Sequence, residues 1–170
     1  MATIVAGIPI PSSDPLFLGG VAAHVAFGLT AVASGAVAML SPKGRGRHTR
    51  AGAVYVWCLT ALAASAAGLA AVRWAEDARL FLLGVGAAAC AWGGRFAARR
   101  TALRVHAPAM GASYVLMLTA FYVDNGPNLP LWRDLPPIAN WTVPSLVGAP
   151  IILWALFRHR LLRPIRPQGR

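Results

Sequence analysis

The sequence predicts an all-α integral membrane protein, a bundle of five transmembrane helices with the amino terminus outside and the carboxyl terminus in the cytoplasm. Three observations predict it. Hydrophobic residues fill 57% of the 170 positions and charged residues 12%, about half the charged share of a soluble globular domain. Alanine and glycine number 34 and 17, which supplies the small side chains that let membrane helices approach closely. Five apolar segments each approach the length of about 20 residues that a bilayer crossing takes, and the basic residues cluster between them in alternation. The formal charge of +11 suggests nucleic acid only until it is read by position, because the polar body that a nucleic-acid module needs is missing.

The elements follow in order. An outer amino-terminal arm covers 1–16, the helical domain covers 17–157, and a basic cytoplasmic tail covers 158–170. The spans are placed at about 17–40, 51–72, 80–98, 105–123 and 141–157, with an outer loop at 124–140. The first span carries no charge, and the arm before it has no Lys or Arg for a signal-peptide n-region, so this span is expected to act as its own insertion signal. At 100° per residue, Gly20, Gly28, Ala31, Gly35 and Ala38 share a face with His24, whereas Leu18, Val25, Leu29 and Val32 suit lipid tails. The third span has small residues on both sides, Gly84, Ala88 and Ala91 against Gly86, Cys90, Gly93 and Ala97, and is expected at the centre of the bundle. The fifth contains Pro144 and Pro150, the second of which is expected to kink it. No internal repeat is visible, and Cys58 and Cys90 read as buried apolar residues rather than as a disulfide.

Orientation comes from the charges, since Lys and Arg of short loops stay on the cytoplasmic face. Thirteen of the sixteen lie in three segments: Lys43, Arg45, Arg47 and Arg50; Arg95, Arg99, Arg100 and Arg104; and Arg158, Arg160, Arg163, Arg166 and Arg170. The opposite face holds Arg73, Arg79 and Arg133 with all five acids, Asp14, Glu76, Asp77, Asp124 and Asp134. Arg45, Arg47, Arg99, Arg100 and Arg104 are the candidate contacts for anionic lipid headgroups or an acidic partner.

His24 is the histidine well inside a span, and an ionisable group there must be neutral and paired or functional. It lies about 10 Å from the outer boundary at 1.5 Å per residue. His106, Met110, Ser113 and Met117 form a stripe on the fourth span, flanked by Tyr114, and Met117 is expected level with His24. Histidine and methionine are possible axial haem ligands, so His24, Met117, Met110, Ser113 and Tyr114 make a candidate haem or quinone site. Core packing is the competing account of the methionines, and a hydroxyl or carbonyl partner is the competing account of His24. His48 and His106 both fall at the inner boundary, where they can meet and are weaker metal candidates.

His24, His48-x-x-x-Gly52-x-x-Tyr55 and His106-x-x-x-Met110-x-x-Ser113-Tyr114 together resemble the pattern of an uncharacterised bacterial family of small multi-pass membrane proteins, over about 18–154 of the chain. Thr49 stands where that pattern has arginine. The resemblance implies a helical fold in the bacterial cytoplasmic membrane and a histidine constellation, with no known activity.

No carboxylate pair, nucleophile with a base, or cofactor fingerprint is present in the sequence. The expectation is therefore a non-catalytic accessory subunit packed against a larger respiratory or photosynthetic membrane complex or against itself, with no nucleic-acid partner. A redox protein with haem or quinone near His24 is the alternative. A transporter is the third reading, weakened by the lack of an intramembrane acid and of an inverted repeat.

Overall fold

The computed structural model of the chain describes residues 3–5, 8–10, 14–44, 46–72 and 74–158. A short antiparallel pair, β1 (Thr3–Val5) and β2 (Ile8–Ile10), sets Thr3 opposite Ile10 and Val5 opposite Ile8. Five helices follow: α1 (Pro15–Leu40), α2 (Arg47–Val72), α3 (Trp74–Arg99), α4 (Leu103–Asn125) and α5 (Pro137–Arg158). Arg45 and the tail beyond Arg158, both parts of the basic clusters, lie outside the described residues.

Local chemistry sets the helix ends. Asp14 caps α1 by accepting the Leu16 amide at 3.0 Å, and Pro15 occupies the first turn, where its missing N–H costs nothing. At the other end the Val37 carbonyl accepts both the Ser41 amide and the Ser41 hydroxyl, and Lys43 Nζ donates at 2.7 Å to the Met39 carbonyl, which the helix leaves open. Gly44 and Gly46, at φ 132° and 116°, then turn the chain into α2. The expected loop at 124–140 is shorter than its bounds, because α4 runs to Asn125, a 3-10 turn covers Gly126–Asn128, and α5 starts at Pro137. Helix α5 continues through both Pro144 and Pro150.

Close packing joins α1 to α2, α2 to α3, α3 to α4 and α4 to α5, so neighbours in sequence are neighbours in space. Among the described residues four helices, α1, α2, α3 and α5, are long and apolar enough to cross a membrane. The exception is α4, and its burial explains why. From 106 to 120 none of its residues is exposed. It touches α1 through Tyr114, α2 through Ser113, α3 through Leu116 packed by Gly86, and α5 through Gly111 against Ile152 and Gly148 against Val115. A helix enclosed by protein needs less apolar surface than one facing lipid, and α4 carries His106, Pro108, Ser113, Tyr114 and Asp124 accordingly. The centre of the bundle is thus α4 rather than the third span. Although α3 uses Gly84 toward Ala63 of α2 and Gly86 toward α4, it exposes Leu82, Val85, Trp92 and Phe96 along one side. Both cysteines are half-buried free thiols.

The faces of α1 agree with its periodicity. Ala31, Gly35 and Ala38 are buried, whereas Leu18, Val25, Leu29 and Val32 are exposed. Gly35 matters most, since a Cβ there would stand 2.6 Å from Tyr114 Cε2 and 3.0 Å from Tyr55 Cδ2. Gly35→Ala is expected to cost about 1–3 kcal/mol through overpacking. Gly93→Ala, where no atom lies within 4 Å of the added methyl, is the control expected to unfold at the wild-type temperature. Thermal unfolding in one detergent distinguishes them.

Candidate functional site

The chain offers two clusters of chemistry-bearing side chains, one in the middle of the bundle and one at the end where the basic loops gather. His24 belongs to neither. Its Nδ1 lies 2.9 Å from Ser65 Oγ, and the Ser65 hydroxyl proton is directed to the Leu62 carbonyl at 2.9 Å. The hydroxyl oxygen therefore accepts, the histidine donates from Nδ1, and the pair fastens α1 to α2.

In the middle, the buried Tyr55 hydroxyl meets Ser113 Oγ at 2.8 Å, and Ser113 donates onward to the Met110 carbonyl at 2.8 Å. Tyr55 is therefore the donor to Ser113. Tyr114 donates to the Val32 carbonyl at 3.1 Å. Met117 is buried in the core cluster with Ala31, Tyr55, Leu59, Ala87 and Ala91.

These contacts correct the expected level of Met117. Tyr55 pairs with Ser113, so four residues further along each helix Leu59 and Met117 share a layer. His24 instead sits beside Ser65, six residues beyond Leu59, or about 9 Å at 1.5 Å per residue. The five residues assigned to a cofactor are therefore not gathered around one space. A cavity of about 290 Å3 lies between α1, α4 and α5 under Trp132, and of the five only Tyr114 lines it.

At the basic end the two boundary histidines do meet. His48, in the first turn of α2, lies with Nδ1 2.8 Å from the Ala38 carbonyl of α1. His106, in the first turn of α4, lies with Nδ1 2.9 Å from the Gly94 carbonyl of α3. A carbonyl only accepts, so both rings donate from Nδ1, and in the neutral form each keeps its lone pair on Nε2. The ring centres are 6.2 Å apart with planes at 88°. Among the described residues no group of three or more His, Cys, Asp and Glu is placed to hold a metal.

The two halves correspond, which the sequence reading missed. His48 with His106 and Tyr55 with Ser113 are contacts at one constant separation of 58 residues. In each hairpin, α1–α2 and α3–α4, the histidine bonds back to a carbonyl of the preceding helix, 10 or 12 residues earlier. The matching motif spacing, His-x-x-x-[Gly/Met]-x-x-[Tyr/Ser], was the available signal. Its residues differ enough to hide the relation.

The basic residues Arg47, Arg50, Arg99, Arg100 and Arg104 are exposed around this end, and the Arg100 guanidinium lies 4.3 Å from the Phe96 ring centre. Partial burial against the α1 terminus holds the Lys43 ammonium below its ordinary pKa. At the opposite end Trp132 stacks on Tyr122 with ring centres 3.9 Å apart, which anchors the 124–140 connection to α4. Sequence reasoning also missed Trp92, whose indole N–H reaches Thr60 Oγ1 at 3.0 Å and ties α3 to α2.

Comparison with protein-family models, curated proteins and solved structures finds no match to this chain.

His24→Ala is expected to destabilise the bundle by about 1–3 kcal/mol by leaving Ser65 without its donor. His24→Gln, which keeps an N–H, is expected to recover part of that loss. Unfolding midpoints of the two variants give the measurement, and an absorbing cofactor that disappears in both would assign His24 a ligand role instead.

Proposed function

We propose that the chain is a non-catalytic accessory subunit of a bacterial cytoplasmic membrane, packing against a larger respiratory or photosynthetic complex or against a second copy. One observation carries this reading. Four contacts between polar side chains and a neighbouring helix, His24–Ser65, Tyr55–Ser113, Tyr114–Val32 carbonyl and Trp92–Thr60, fasten one helix to another. Groups arranged this way hold a shape, and an enzyme would need polar groups converging on an open space. The shape leaves α1 as the least covered helix, with Gly19 and Gly20 meeting no atom within 4 Å, where another helix can approach closely.

Less supports the alternatives. Haem or quinone near His24 would have to bind through Nε2, because Nδ1 is held by Ser65, and Met117 lies in the Tyr55–Ser113 half of the bundle rather than at that level. The transporter reading rests on the cavity between α1, α4 and α5, whose lining includes no carboxylate, histidine, Lys or Arg.

Orientation belongs to the same proposal: amino terminus outside, carboxyl terminus inside, with the thirteen clustered basic residues facing the cytoplasm and its anionic headgroups. Single cysteines in a background lacking Cys58 and Cys90 are expected to label from outside intact cells at Asp14 and Asn128, both exposed, and to stay unlabelled at Arg47 and Gln168. External labelling at Gln168 would contradict the five-span topology.

For the accessory role itself, gentle detergent extraction followed by native mass analysis is expected to recover the chain in a colourless stoichiometric assembly. Gly19→Leu with Gly20→Leu is expected to shift it to the monomer without lowering its unfolding temperature. A wild-type monomer in native membranes would count against the reading.

A further inference from the structure

We propose that His48 and His106 form a two-imidazole binding site for copper(I) at the basic end of the bundle, with the Met110 thioether as its soft neighbour. The inference does not depend on the accessory reading. It starts from position: the two rings occupy corresponding places in two hairpins and meet with centres 6.2 Å apart. A metal–imidazole bond is about 2.0–2.1 Å, and the ring centre lies about 1 Å beyond the nitrogen, so two imidazoles on opposite sides of one ion stand about 6 Å apart.

Both rings also hold the tautomer that ligation requires. Metal-binding histidines donate one ring N–H to a carbonyl or carboxylate and bind through the other nitrogen. Here Nδ1 of His48 is fixed on the Ala38 carbonyl and Nδ1 of His106 on the Gly94 carbonyl. Four helices thus orient two rings and leave Nε2 of each for a ligand. Fastening explains each Nδ1 bond separately. It gives the Nε2 atoms no part.

The surroundings choose the ion. One turn from His48 on the same side of α2, Gly52 has no atom within 4 Å of where a Cβ would stand, so no side chain fills that position. One turn from His106 is Met110, whose sulfur comes within 3.0 Å of the Cβ position of Gly94, the residue that anchors His106. Two neutral imidazoles and a thioether carry no charge, and among the described residues no carboxylate or thiol joins them to make a set of three. The exposed arginines 47, 50, 99, 100 and 104 disfavour a dication further. A closed zinc site takes four protein ligands. Copper(I) is a monocation, is satisfied by two or three ligands, and is selected by thioether and imidazole donors.

The test uses the full chain in detergent, reduced with ascorbate without air, with copper(I) partitioned against a chromophoric chelator. One equivalent is expected to bind. His48→Asn and His106→Asn, which keep an amide N–H for the Ala38 and Gly94 carbonyls but remove Nε2, are each expected to weaken binding about tenfold or more, and Met110→Leu by a smaller factor. The metal-free unfolding temperatures of the Asn variants are expected to match wild type. Should either variant fail to fold, X-ray absorption of the copper-loaded wild type decides, with imidazole scattering from two rings expected. Copper(I) uptake equal in wild type and the double Asn variant, or a spectrum without imidazole, would overturn the proposal. So would a haemin titration giving a two-imidazole spectrum that needs the same two histidines, since that would assign the pair to a porphyrin rather than a bare ion.

Discussion

The bond between Tyr55 and Ser113 is the contact on which the rest of the arrangement depends. A hydroxyl in a hydrocarbon surrounding costs several kcal/mol unless it is paired, and these two pair across the bundle from helices that are not adjacent in the chain. Because Ser113 passes its own proton to the Met110 carbonyl, the geometry is directional at both ends. It sets one register between α2 and α4. Two helical turns toward the basic end that register brings His48 to His106, and one turn the other way it places Leu59 in the layer of Met117.

Small residues decide which helices stand next to one another, and bulky residues decide how far apart they stand. Gly35 gives way to the rings of Tyr55 and Tyr114, Gly111 to Ile152, and Gly148 to Val115. Tyr114 then bridges from α4 to the Val32 carbonyl of α1, two helices without the close backbone packing of sequence neighbours. The apolar cavity lies along that wider gap, with Tyr114, Leu118 and Tyr122 on one wall and Val147 and Ile151 on another. A helix that meets neighbours on every side is free to be polar, and this is why α4 holds so much of the chemistry.

Much of this was legible in the sequence, at the level where one helix is read against its own period. The limits of α1, its lipid side and its buried Ala31, Gly35 and Ala38 all follow from spacing at 100° per residue. What was not legible needs two helices at once. The expected level of Met117 is measured from a span boundary, whereas the depth is set by pairing with α2, where Tyr55 is marked only by the spacing it shares with Ser113 and Ser65 carries no distinguishing pattern. Similarly, small residues on two sides of the third span suggested a central helix, but glycine serves lipid-facing positions as well, as Gly93 does. That His48 and His106 can meet was readable from their common boundary. That each is held by a backbone carbonyl was not, because any carbonyl can accept and sequence names none of them.

The two ends of the bundle are closed by different physics, and the difference bears on where chemistry can occur. At the acidic end the closure is apolar: Trp132 lies flat on Tyr122, and Gly126 leaves room for the buried Asn140 side chain beneath the turn. At the basic end it is made of hydrogen bonds from Ser41, Lys43, His48 and His106 to helix carbonyls. Ser41, Lys43 and His48 offset partial negative charge in the last turn of α1, His106 holds a carbonyl inside α3, and Lys43, Ser41 and the Nδ1 atoms are used up in doing so. The Nε2 atoms of the histidines are what remains after that accounting. A ring that donates from Nδ1 keeps an electron pair on Nε2 in its neutral form, and the exposed arginines near this end oppose a ligand of high positive charge.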